Sequence, residues 1–100
     1  MQSLGAVVSK KMKSGKILDE AKRLTATDRQ DIYGDPYINH KRIADLWSVY
    51  LEKEISASQV ALCLCLVKIA RLIQTPDHED SIIDLAAYTA IYGEINDSEK

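Results

Sequence analysis

The chain reads as an all-α protein, a four-helix bundle assembled around its third helix. Three observations predict this. No stretch alternates apolar and polar residues with the period of two that a half-buried strand needs. Apolar residues recur three and four apart instead, the spacing of one helix face. The hydrophobic share is 46%, with five Tyr, one Trp and no Phe, so Leu, Ile, Val and Ala must fill the core. At 100 residues there is room for one domain. A chain of this size buries about two-thirds of its unfolded surface, which makes self-association a natural supplement, and a homo-oligomer is expected.

Residues 1–15 hold no sustained period and read as a flexible basic arm; residues 16–95 form the helical domain and residues 96–100 a solvated, disordered tail. The first helix is expected over Lys16–Thr25, with Ser14 or Gly15 at its start and Ile17, Leu18, Ala21 and Leu24 as its stripe. Gly34 and Pro36 then interrupt any regular element between Ala26 and Ile38. A connection of that length in a small domain is a place to look for function. The second helix should run from Tyr37 to Lys53, with Ile43, Leu46, Trp47, Tyr50 and Leu51 on its core face and Lys41 paired with Asp45 one turn on. The third, about 57–74, should start with Ser56 as N-cap and Gln59 as its capping-box partner. Its apolar run from Val60 to Val67 leaves no polar face, which predicts burial all round and a central place in the bundle. Pro76 follows its end. The fourth helix should begin with Asp77 as N-cap, carry Glu79 and Asp80 where the helix dipole favours acids, and stop at Gly93 in the left-handed conformation.

The net charge of −2 is unevenly spread: residues 1–24 hold six bases against two acids, residues 25–100 seven against thirteen. Four clustered lysines without interleaved aromatics make a poor nucleic-acid platform, and an acidic body argues against that partner. The start of the chain lacks the charge order and length of a signal peptide, and no membrane span is expected. Cys63 and Cys65 stand two apart in an apolar helix, point to different sides and are expected as buried, unbridged thiols. These features fit a cytoplasmic protein.

No phosphate-binding GxxxxGK[ST] loop, GxGxxG fingerprint, HExxH site or Ser/His/Asp context is present. Chemistry has to come from scattered polar residues. Asp80, Asp84 and Tyr88 fall on one row of the fourth helix. Asp84 lies among Ile83, Leu85 and Ala86, where a carboxylate is costly to bury without a cation. Lys68 and Arg71 share a face of the third helix and could meet it, as a structural ion pair, as part of a ligand site, or at a metal. Asn39 and Arg42 share a face at the mouth of the Gly34/Pro36 connection; a guanidinium binds phosphate bidentately and an amide suits a base edge. Trp47 is expected as a core anchor. His40 and His78 have no ligating neighbours in sequence and are expected at exposed loop or helix-end positions.

Over about Lys16–Ile95 the chain resembles a family of small phage proteins. The resemblance rests on Asp28-Arg29, Tyr33-Gly34, Pro36, Asn39, Arg42-Ile43-Ala44, Leu46-Trp47, Tyr50-Leu51, Val60, Leu66 to Arg71, Asp80, Asp84-Leu85-Ala86 and Tyr88. That family is in turn distantly similar to the MazG-type all-α NTP pyrophosphohydrolases, oligomers that hold nucleotides between helices. Their ExxE and ExxD acids bind Mg²⁺. Here Ser81-Ile82-Ile83-Asp84 keeps one acid and Asn39-His40-Lys41-Arg42 keeps none. A scaffold that exchanges acids for Arg and Asn can bind phosphate directly, without a metal or other cofactor. The resemblance therefore implies a phage nucleotide-binding protein, a sponge for a nucleotide second messenger of host defence acting in the host cytoplasm. Its ligand would contact Arg29, Tyr33, Asn39, Arg42, Lys68, Arg71, Asp84 and Tyr88. The alternatives are a Mg²⁺-dependent NTP pyrophosphohydrolase using Asp80 and Asp84, and a protein interaction module.

Overall fold

A computed structural model describes residues 13–28 and 34–100. Four α-helices and no strand are found among them: α1 (Ser14–Arg23), α2 (Pro36–Leu51), α3 (Ala57–Gln74) and α4 (Glu79–Ser98), with a π-helical turn, Leu24–Asp28, continuing α1. The all-helical class and the number of helices agree with the sequence reading. Residues 1–12 of the basic arm and residues 29–33 of the Ala26–Ile38 connection, Arg29 and Tyr33 included, lie outside the described residues.

Local chemistry sets the helix starts. Asp35 caps α2, its carboxylate accepting from the amides of Tyr37 and Ile38 at 2.8 and 3.3 Å, and Pro36 occupies the first turn, where no amide is needed. The expected capping box opens α3: Ser56 Oγ accepts from the Gln59 amide at 3.2 Å and Gln59 Oε1 accepts from the Ser56 amide at 2.8 Å. Lys41 pairs with Asp45 at 2.8 Å as its spacing predicted, and the bond and the neighbouring carboxylate raise the pKa of the ammonium.

The fourth helix departs from expectation at both ends. His78, not Asp77, is its N-cap, with the Ser81 amide donating to Nδ1 at 3.3 Å. Gly93 does not end it, since among the described residues Gly34 alone of the glycines takes a positive φ, and the helix continues to Ser98. The cause is Ile95: it packs fully buried in the core and holds about one and a half further turns against the body.

The larger correction concerns the centre. The helix that touches all the others is α4; α3 packs on α2 and α4 and has no contact with α1 among the described residues. Ile83, Ala87, Tyr88, Ile91 and Ile95 of α4 meet Ala21 and Leu24 from the α1 side and Val60, Ala61, Leu64 and Cys65 from α3. Consequently α3 is not buried all round. Leu62, Leu66, Ile69 and Ile73 are exposed, as are Leu18, Leu46, Tyr50 and Leu51, which the apolar pattern had placed in the core. Cys63 is likewise exposed, while Cys65 is buried. Trp47 is half-buried and packs against the core. By length and composition alone α3 could cross a bilayer, a test that core helices of globular proteins also pass; one third of it is buried in this fold.

Candidate functional site

Of the residues nominated from sequence, Lys68, Asp84 and Tyr88 converge, and they do so inside the protein. Lys68 enters from the core face of α3 and Asp84 from α4. Lys68 Nζ and Asp84 Oδ2 are 2.9 Å apart and both side chains are wholly inaccessible to solvent. The approach is that of an ion pair, since the two atoms are not aligned as a hydrogen bond. Tyr88, one turn beyond Asp84, is also fully buried. Its ring meets the edge of His40 at a centroid distance of 6.5 Å and an interplanar angle of 70°. His40 is fully buried rather than exposed, and its Nδ1 donates to the Pro36 carbonyl at 2.8 Å. That bond fixes the proton on Nδ1 and ties the ring to the first turn of α2. His40, Lys68, Asp84 and Tyr88 thus form a polar layer joining α2, α3 and α4. The sequence reading missed His40 because its four-residue spacing from Pro36 and Ala44 resembles an ordinary surface row until the partner helix is in place.

Arg71 goes elsewhere. It is exposed, it makes no ion pair among the described residues, and it lines a cleft of about 350 Å³ with Gln74, Thr75 and His78 at the turn between α3 and α4. Among the described residues, no carboxylate lines this cleft. His78 is held there by its capping role, with Nδ1 2.6 Å from Ser81 Oγ. Gln74, Thr75 and His78 were not nominated from sequence; only their position around the helix-ending Pro76 could have drawn attention to them. Asn39 is half-buried and Arg42 exposed on α2, and neither lines the Arg71 cleft. A second recess, about 580 Å³, is lined by Lys41, Asp45, Ser48, Glu54 and Glu99 among others, with none of the described nominated residues in its lining.

Among the described residues, no three His, Cys, Asp or Glu side chains group as metal ligands. Asp80 is half-buried in the first turn of α4, while Asp84 faces the Lys68 ammonium. This donor set does not fit a Mg²⁺ site, which wants carboxylate and water oxygens with no cation among them.

Residues 16–96 match a family described as a domain of unknown function, DUF6378. The chain belongs to the DUF6378 family. It is 51% identical over 75 residues to the Gene 55 protein of Mycobacterium phage D29, covering 75% of this chain and 50% of that protein. To the Gene 55 protein of Mycobacterium phage L5 it is 37% identical over 76 residues, covering 75% and 49%. The chain therefore spans about half the length of these curated relatives. No solved structure matches. The matched region of the DUF6378 chain holds the whole Lys68–Asp84 layer and the Arg71 cleft, and the expected kinship with phage proteins is found.

Proposed function

We propose that this DUF6378 protein binds a nucleotide-derived anion and sequesters it in the host cytoplasm without hydrolysing it. The observation that carries the reading is Arg71, an exposed guanidinium with no carboxylate partner among the described residues, set in a cleft whose described lining is otherwise His78, Gln74 and Thr75. A planar fork of five donors in such a place suits phosphate oxygens. The cleft's volume of about 350 Å³ lies at the small end of ligand sites, enough for a phosphate-bearing end. Lys68, Asp84 and Tyr88 then act as the frame that fixes α3 against α4, while Asn39 and Arg42 with Arg29 and Tyr33 are the nominated contacts for the rest of the ligand. The kinship with phage proteins supports an origin in which sequestering a host nucleotide signal is useful; that role is an analogy. A Mg²⁺-dependent pyrophosphohydrolase is disfavoured by the engagement of Asp84 with Lys68.

The test is thermal stabilisation by a panel of nucleoside triphosphates and cyclic dinucleotides. A ligand at a hundred times its Kd stabilises by about 2.7 kcal/mol. The Arg71→Ala variant should melt within a degree or two of the parent and lose that shift. No pyrophosphate should be released from any triphosphate with Mg²⁺. Stabilisation that survives Arg71→Ala refutes the site, and turnover abolished by Asp84→Asn establishes the hydrolase instead.

A further inference from the structure

We propose that the outer face of α3 pairs with the same face of a second copy of this chain. Leu62, Leu66, Ile69 and Ile73 are 43%, 62%, 42% and 79% exposed. Their spacing is four, three and four residues, the alternation of a two-helix seam, and it runs straight along one side of α3 for about 16 Å. Between Ile55 and Val67 the chain contains no Asp, Glu, Lys or Arg, and Lys68 beyond it is turned wholly into the core. The face therefore has no charge to repel its own image.

Size and chemistry point to this occupant. With exposed Gln59, Cys63 and Ala70 beside the stripe, the face is comparable to the roughly 600 Å² that each partner brings to the smallest stable interfaces. Apolar patches near the upper end of what monomers expose, roughly 300–600 Å², are often functional. A twofold axis brings one patch against itself and needs self-complementarity, which an uncharged Leu/Ile ridge has. A helix that lies on a membrane surface carries Lys and Arg beside its apolar face, and none flank this stripe between Ile55 and Val67. The exposed apolar residues of α2 make a poorer candidate, because Lys41, Arg42, Asp45 and Glu52 interleave with Ile38, Leu46, Val49 and Leu51. The inference is independent of any ligand at Arg71, which lies off the seam.

Sedimentation equilibrium from 1 to about 100 µM is the experiment, on the parent chain, Leu66→Glu and Leu46→Glu, with far-UV circular dichroism of each and flotation with anionic phospholipid vesicles. The parent should run at twice the 11.2 kDa chain mass. Leu66→Glu should weaken association at least about a hundredfold while keeping its helical spectrum, since the site is exposed in the single chain. Leu46→Glu, equally exposed on α2, should leave the dimer intact. A parent chain that stays monomeric, floats with vesicles, or dimerises undiminished with Glu at position 66 overturns the proposal.

Discussion

Replacing Lys68 by Met removes one half of the buried ion pair and keeps most of the side-chain volume. Both partners are fully buried and 2.9 Å apart, so the substitution leaves the Asp84 carboxylate without that cation in the core. Breaking a pair of this kind costs about 3–5 kcal/mol. For a domain of this size total stability is roughly 5–15 kcal/mol, and each kcal/mol moves the melting temperature by about 4–8 °C. The variant should therefore melt some 15–30 °C lower or fail to fold at 37 °C. The double replacement Lys68→Met with Asp84→Leu behaves differently. The ammonium has three donors to satisfy and, among the described residues, makes only this one polar contact, so it recovers little beyond its own desolvation. Removing both charges should restore stability to within about 1–2 kcal/mol of the parent or exceed it. Urea unfolding of the four proteins gives the coupling energy directly, expected above about 2 kcal/mol. A Lys68→Met loss under 1 kcal/mol, or a double variant as unstable as the two single losses added together, refutes the buried-pair argument.

Ser56→Ala should cost α3 its N-cap, about 1 kcal/mol in urea unfolding, and adding Gln59→Ala should cost little more because the two side chains act as one box. Thiols should separate by burial: in a Leu66→Glu background, a disulfide reagent at pH 8 labels Cys63 quickly and Cys65 far more slowly until denaturant is added. Desolvation raises the Cys65 thiol against the opposing hydrogen bond from Thr89, so its folded-state labelling should keep accelerating with pH above the usual thiol range. Gly93→Ala should stabilise by about 0.5–1 kcal/mol, since the position is an exposed helix interior with open space around an added Cβ. Gly34→Ala should destabilise by a similar amount, because φ there is +76°; reversal of either sign in thermal melts would contradict the assigned backbone.

Where a signal is carried by bonds three or four residues apart, the sequence was legible. The Ser56 box, the Lys41–Asp45 pair and the stop before Pro76 each depend on atoms within one turn, and each is found. Gly93 shows the limit of such reasoning. Glycine permits a helix end but does not compel one, and tertiary burial of Ile95 two residues later outweighs the modest cost of glycine within a helix. The same limit governs the centre of the bundle. An apolar run announces that a helix wants cover on all sides, yet which sides receive it depends on where three other helices go, and that is a long-range property. In α4 the small side chains of Ala86, Ala87 and Ala90 alternate with Ile83, Tyr88 and Ile91, so neighbours can approach from several directions. In α3 the bulky row from Leu62 to Ile73 faces away from every described element. Asp84 was recognisable as a carboxylate needing a cation, and Lys68 supplied it. Arg71, one turn on, could not be separated from Lys68 by spacing alone, because the two residues share a face and diverge only where α3 ends and its last turn reaches past the core. The divergence divides the labour: one cation is neutralised inside the frame, and the other is left at the surface where an anion can reach it.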